Sequence, residues 1–286
     1  MRDTDFWAAR FDEHRPRLRA VAYRMLGSHA EADDAVQEAW LRVTNARDEE
    51  IDNIGGWLTT IVSRQCLNML RSRSTRREEP LDVRVPDPVV VTGDGVDPAE
   101  QGELADTVGL ALLVVLDALD PAERLAFVLH DMFAVPFDRI APIVGRSPAA
   151  ARQLASRARR RVQGTVPDGP PDRARQRTVV EAWLAASRSG DFEGLLALLD
   201  PDVVLRVDAG GPASKLVRGA EVVAGQALTY RGGATRAGIV SVNGLPGIAS
   251  WAGDRMVAVL AFTVVDGRIT EIDILADRDR LASVVP

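Results

Sequence analysis

Arginine carries most of the chemistry this sequence offers. The chain has 35 basic residues, and all but Lys215 are arginine. They cluster. Residues 61–77 hold five arginines and no acid, and residues 146–163 hold six and no acid. Between them, residues 78–120 carry eleven acids against one arginine. Two basic stretches split by an acidic one suit two separate anionic contacts, with solvated helix faces as the plainer reading. Nucleophilic and metal chemistry find little support. His14, His29 and His130 are scattered without an H-x-x-x-H pair, and Cys66 is the one cysteine. That excludes a disulfide framework and the usual zinc patterns, and no cofactor is implied. Cys66 is expected to pack as a small hydrophobe. The net charge of -6 argues against a uniformly basic binder. No apolar run reaches membrane-spanning length and the start lacks a signal-like apolar region, so a cytoplasmic protein without membrane contact is expected.

The elements that must position these arginines read as helices. Leu18, Val21, Ala22, Met25 and Leu26 recur at three and four, and Gly27 ends that stripe. Ser28 and Glu31 form a capping-box pattern before a second helix with Ala32, Ala35, Val36, Ala39, Trp40 and Val43 on one side. Its other side shows Asp33, Asp34, Gln37 and Glu38, either a solvated face or a dock for a basic partner. Gly55-Gly56 reads as a breaker, and a helix resumes near Trp57 with Arg64, Asn68 and Arg71 along one side. Arg73, Arg76 and Arg77 extend that patch. Residues 78–100 hold four prolines and a run of acids, a linker whose charge suits it to lie near basic patches.

A second helical unit follows. Asp120-Pro121-Ala122-Glu123 is a start signal, with Asp120 as cap, Pro121 at the first position and Glu123 at the reciprocal capping position. A short helix ending at Gly145 comes next, with Pro142 an irregularity inside it. Ser147 then caps a helix whose inner face is Ala151, Leu154, Ala155, Ala158 and Val162. Arg152, Gln153, Ser156, Arg157, Arg159, Arg160 and Arg161 crowd the rest of it. Short helix, tight glycine turn and basic helix make a helix-turn-helix pattern, in which Arg152 and Gln153 can reach base edges while later arginines hold phosphates.

With these residues placed, the chain resembles the extracytoplasmic-function sigma factors over about residues 6–163. Residues 17–43, with Ala30-Glu31-Ala32-Asp33-Asp34-Ala35-Val36-Gln37-Glu38-Ala39-Trp40, look like the core-binding part of region 2. Gly56-Trp57-Leu58 through Asn68-Met69-Leu70-Arg71 resembles the promoter-melting part, and residues 119–161 resemble region 4. The resemblance implies partners: core RNA polymerase, through its largest subunit's coiled coil and its flap, and promoter DNA. It assigns polymerase binding to Asp33, Asp34, Gln37 and Glu38. It assigns the -10 element to Asn45, Arg47, Asn53, Trp57, Arg64, Asn68 and Arg71, where Trp57 can stack on a base or pack in the core. It assigns the -35 element to Ser147, Arg152, Gln153, Ser156, Arg157 and Arg160.

After a second linker the pattern changes to two helices, a strand, a helix and a meander of strands, an α+β domain. Asp266-Gly267 reads as a hairpin turn, and Asn243-Gly244 with Pro246-Gly247 as another connection. This part resembles the SnoaL-like, NTF2-like cone fold, as in the sigma subgroup whose C-terminal extension is held to regulate the core. Three of that subgroup's motifs have degenerate counterparts in Arg84-Val85-Pro86-Asp87-Pro88, Asp208-Ala209-Gly210-Gly211 and Asp277-Arg278-Asp279-Arg280-Leu281. Asp208, Trp251 and Asp273 are candidates for a cone cavity that could hold a small molecule.

The domains expected are therefore residues 1–79, sigma region 2; 80–103, an acidic linker; 104–163, region 4 with its helix-turn-helix; 164–176, a linker; and 177–286, the SnoaL-like domain. The expected fold is multidomain, all-α followed by α+β. The expected function is promoter recognition as a non-enzymatic polymerase subunit with a regulatory tail. The alternatives are a helix-turn-helix regulator acting without polymerase and a small-molecule sensor or enzyme in the cone.

Overall fold

A computed structural model describes residues 2–45, 53–76, 83–92, 109–164, 172–229 and 236–284. The chain divides into two compact units, Met1–Glu78 with Val115–Thr165, and Glu79–Val114 with Val166–Pro286. The expected linker before region 4 thus groups with the C-terminal part, while the two helical segments on either side of it form one body.

That first body is all helix. It contains α1 (Arg2–Leu26), α2 (His29–Asn45) and α3 (Ile54–Arg76). Leu18, Val21, Met25, Leu58, Val62 and Leu67 are buried, each contributing on the order of 1.5–3 kcal/mol. Gly27 ends α1 at φ 67°, as expected. Helix α3 starts earlier than the glycine pair suggested. Asn53 caps it, its Oδ1 accepting from Gly56 N at 2.8 Å. A Cβ at Gly55 would lie 3.1 Å from the His14 ring, so the glycine serves close packing on α1 and breaks nothing. Glu31 does not complete a capping box with Ser28: Arg73 at the far end of α3 pairs with it and also donates to Leu26 O at 3.1 Å. Arg73 therefore staples the α1–α2 turn.

Helix α4 (Leu110–Asp117) spans the boundary between the units, only its last turn belonging to the first, and the first unit continues with α5 (Pro121–Phe127), α6 (Phe137–Val144) and α7 (Pro148–Gln163). Asp120 caps α5 by accepting from Ala122 N at 2.9 Å. The stripe through Met132 is not one regular helix, because Val128–Met132 winds as a π-helical turn. Pro142 stays inside α6. Gly145, in the left-handed region at φ 68°, makes the turn into α7. Arg124 is 1% exposed; it donates to Asp117 at 2.6 Å and to Arg24 O of α1 at 3.1 Å, so one guanidinium joins α1, α4 and α5. Arg17 reaches Phe133 O at 3.1 Å from the same side.

The second body is mixed α/β. Helices α8 (Arg173–Ser189), α9 (Phe192–Leu198) and α10 (Ala220–Thr229) cover one face of a sheet, and α11 (Arg278–Val284) follows the last strand. The strands are β1 (Val90–Val91), β2 (Leu199–Asp208), β3 (Lys215–Arg218), β4 (Arg236–Val242), β5 (Leu245–Ala252), β6 (Arg255–Val265) and β7 (Arg268–Leu275). Their order is β1-β4-β5-β6-β7-β2-β3, antiparallel except for β2 beside β7. The sheet is open, with β1 and β3 as edges, so the closed curl of a cone is not met. Asn243-Gly244 and Asp266-Gly267 turn the β4–β5 and β6–β7 hairpins with positive φ, as their types demand. Pro246 and Gly247 lie within β5 instead of in the connection. Trp183, Leu195, Val203, Leu205, Phe262 and Ile272 centre the core between helices and sheet.

Candidate functional site

On α2, alternation of buried Ala32, Ala35, Val36 and Ala39 turns Asp33, Asp34 and Gln37 outward, with Glu38 half-buried. Asp33 is engaged by Arg19 at 2.7 Å and Glu38 by Arg42 at 3.5 Å, while Asp34 forms no ion pair among the described residues. Leu41 extends the row formed by Asp34, Gln37 and Glu38 and is 51% exposed, one of two large exposed hydrophobics among the described residues. An apolar side chain flanked by acids is the composition of an interface centre with a charged rim. The sequence had shown Leu41 at this register, yet its exposure emerges only once the stripe is packed.

On α3, Arg64, Asn68 and Arg71 are all exposed at spacings of four and three, hence on one face. Trp57 is half-buried, its ring 6.2 Å from Trp7. Asn53 spends its side-chain oxygen on the α3 cap. Arg47 lies outside the described residues, and only the backbone of Asn45 is described.

The third surface is α7. Ser147 caps it, its Oγ accepting from Ala150 N at 3.3 Å, and Ala151, Leu154, Ala155 and Ala158 are buried. Arg152, Gln153, Ser156 and Arg160 are exposed together, and the Arg152 guanidinium sits 5.4 Å from the Phe137 ring centre. Arg157 is drawn back. It binds Glu123 at 2.7 Å, and Arg161 reaches the same carboxylate at 3.2 Å. Glu123 is therefore no reciprocal cap; it is a buried anchor that orients α7 against α5. Arg159 similarly pairs with Asp131.

Cys66 is fully buried, and burial pushes its thiol up to about 12 although Arg124 pulls the other way. It is a packing residue, protonated at neutral pH. Among the described residues no cluster of three His, Cys, Asp or Glu side chains could hold a metal, and no helix is long and apolar enough to cross a membrane.

In the second body the three motif remnants meet. Arg280 donates to Asp87 at 2.7 Å, to Asp208 at 2.6 Å and to Val85 O; Asp208 also accepts from Val85 N at 3.0 Å. Asp87 and Asp208 are each 2% exposed. Burial opposes charge on Arg280, yet the two carboxylates hold its pKa above the ordinary value. Asn243 adds a second tie, donating N–H to Val89 O at 2.8 Å and accepting Val89 N–H on Oδ1 at 2.9 Å. The segment 83–91 is thus pinned to this body, with Val90–Val91 as an added edge strand of the sheet; the acids expected to lie near basic patches, Asp87 apart, are outside the described residues.

Asp208 and Asp273 do not line the cavity between the sheet and its helices, whereas Trp251 lines a second cavity of this body with Gly238, Asp254, Met256 and Leu281. Leu205, Val207, Ile272 and Ile274 point toward the helices and the cavity, so Asp208 and Asp273, one residue out of step, face the other side. There Asp273 accepts from Arg206 at 3.0 Å beside Glu271 at 3.2 Å. Burial pushes Asp273 up to about 6, with Arg206 opposing the rise. Trp251 lies under the Arg236 guanidinium at 4.3 Å.

Comparison with known proteins adds an independent line. The Sigma-70 region 2 family matches residues 10–76, and the Sigma-70 region 4 family matches residues 109–162. The ECF RNA polymerase sigma factor SigI of Mycobacterium tuberculosis is 37% identical over 275 residues, spanning 96% of this chain and 94% of its own. SigJ of the same organism is 40% identical over 290 residues, spanning 94% and 91%. The crystal structure of SigJ superposes with a TM-score of 0.73 at 36% identity, covering 96% of this chain and 98% of that one.

Proposed function

The chain belongs to the extracytoplasmic-function RNA polymerase sigma factors, so it binds core polymerase and directs initiation at promoters; on that premise we propose which face makes each contact. The α2 row of Asp34, Gln37, Glu38 and Leu41 docks on the polymerase coiled coil, Leu41 desolvated at the centre and the acids around it. Asp33, held by Arg19, supports that row. The α3 face of Arg64, Asn68 and Arg71 lies along the melted -10 strand, where positive charge and flat side chains hold single-stranded DNA. Helix α7 enters the major groove at the -35 element with Arg152, Gln153, Ser156 and Arg160, and Arg157 positions the helix through Glu123.

The observation that carries this reading is the sorting of α7's arginines: some exposed in register on a capped helix, others tied back to hold it. Transcription reconstituted with core polymerase on a promoter library tests it. Arg152→Ala is expected to lose roughly 1–3 kcal/mol at one base pair and relax preference there. Arg160→Ala is expected to weaken all promoters alike and lower the salt slope by about one. Identical, sequence-independent losses from both would place recognition elsewhere.

The C-terminal body, an open relative of SnoaL-like sheets, serves as the regulator. Its support is the Arg280 cluster, which fixes the segment that tethers region 2 to region 4. A sigma factor must present both regions to two promoter elements at once, and a pinned tether limits the spacings they can reach. A small molecule bound in this body would be the natural input.

A further inference from the structure

The helix-facing side of the second sheet encloses a cavity of about 720 Å³, within the range of small-molecule sites. Its two ends differ. Toward β7 and β2 the lining is Leu205, Val207, Ile272 and Ile274, all apolar. Toward β4 and β5 it turns basic. Arg188 of α8 donates to Ala237 O on β4, and Ser250 of β5 stands opposite Ala237 in the ladder. Arg236 is the preceding residue on β4, and all of these line the cavity. The Arg236 guanidinium lies 4.3 Å from the Trp251 ring centre, at the margin this cavity shares with the second one. No acidic side chain lines the first cavity, and neither arginine forms an ion pair among the described residues. Ser187 and Gln226 also belong to its wall, but their side-chain oxygens are buried away from the space. The groups open to a ligand are therefore the two arginines and Ser250.

We propose that this cavity binds an apolar carboxylate, its head at the β4–β5 end against Arg188 and its body lying across β6 toward β2. Arg188 uses one N–H on Ala237 O, and a guanidinium has five, so a donor pair remains for a carboxylate. The Ser250 hydroxyl can donate to the same head group. Arg236 presents its flat face to Trp251, which leaves its N–H edge and adds a second positive charge. Both arginines are exposed, so the head keeps part of its hydration and the full cost of burying a charge is avoided. An ammonium head would meet two like charges with no acid to offset them. An uncharged ligand would fill the apolar end and leave the basic one unused. This deepens the regulatory reading and rests on it only for its biological consequence, because binding itself can be measured without polymerase.

Equilibrium dialysis of the full chain against 2-naphthoate, 2-naphthol and 2-naphthylmethylammonium, each separately, tests the assignment. Saturable one-to-one binding of 2-naphthoate is expected, about tenfold tighter than 2-naphthol, the size of a charge-assisted hydrogen bond at a partly exposed site. The ammonium is expected to bind weakest. Arg188→Gln keeps a donor for Ala237 O and removes the charge. It is expected to bring 2-naphthoate to within about twofold of 2-naphthol while leaving 2-naphthol unchanged, whereas lost folding would weaken both. Ala258→Phe on β6 fills the middle of the cavity and is expected to bind none of the probes, its folding checked by thermal melting. Absence of saturable 2-naphthoate binding to the unaltered chain, or full binding to a folded Ala258→Phe chain, overturns the site. Equal binding of 2-naphthoate and 2-naphthol, or an undiminished preference in Arg188→Gln, overturns the carboxylate assignment, whether or not Ala258→Phe folds. Binding that leaves reconstituted transcription unchanged counts against the regulatory reading and not against the site.

Discussion

On α7, Arg152 and Arg160 stand in solvent from a helix whose inner side is alanine and leucine, whereas Arg280 on α11 is enclosed by Asp87, Asp208 and the carbonyl of Val85. The same side chain does opposite work. An exposed guanidinium keeps its hydration and contributes little to stability, which suits reversible contact with a polyanion. An enclosed one leaves buried carboxylates behind if it is removed, which suits holding distant segments together. Arg124 in the first body is of this second kind, and Arg157 is intermediate, half its side chain exposed while Glu123 is 8% exposed. Position on the helix, more than the count of arginines, decides which guanidinium groups stand in solvent.

Charge reversal on the exposed face gives the largest effect. Asp34→Arg with Glu38→Arg is expected to cost several kcal/mol of core-polymerase affinity while circular dichroism stays unchanged. Near-normal affinity in that double variant would remove α2 from the interface. Next comes the enclosed arginine of the first body. Arg124→Met leaves Asp117 buried without its partner and is expected to cost about 3–5 kcal/mol in urea unfolding, most of it recovered by adding Asp117→Leu. A loss below about 1 kcal/mol would show that the pair contributes no more than a surface bridge.

Arg280→Met sharpens the contrast within the second body. It is expected to raise amide exchange at Val85 and Val89 by about one to two orders of magnitude, with little change at the β5–β6 ladder. Unchanged protection at Val85 would mean that Asn243 alone holds the segment. The smallest effect concerns Asp273. Its folded pKa, near 6, lies above the ordinary value of 3.8, so the folded state holds the extra proton between those pH values. Stability therefore falls as pH rises from about 4 to about 6, and the cost persists above that range. Asp273→Asn removes this decline, a difference of roughly 1–2 kcal/mol because Arg206 also loses an attraction. Parallel pH profiles for the two chains would show that Asp273 titrates normally.

Much of this was legible in the sequence. The stripes through Leu18–Leu26 and Ala151–Val162, the Asp120-Pro121 and Ser147-Pro148 caps and the two hairpin turns are local signals, and the structure realises each. The exposed site residues follow from the stripes, since what is not inward is outward. Partners across long separations left no such signal. Arg73 with Glu31, Arg157 with Glu123 and Arg280 with Asp87, the last 193 residues apart, depend on how helices pack. Asp208 and Asp273 were assigned to the cavity from their chemistry, when strand alternation with Leu205, Val207, Ile272 and Ile274 already set them on the opposite face.

The segment Val90–Val91 is a two-residue strand, yet it pairs with Ser241 and Val242 at the end of β4 and so occupies one margin of the sheet. Once Arg280 and Asn243 release it, the backbone N–H and C=O groups there become unpaired and can be matched by the same segment of a second chain. Liberating the tether and exposing an adhesive edge are then one event. The released form is expected to exchange this strand between molecules at high concentration, giving dimers by sedimentation from Arg280→Met and none from the unaltered chain.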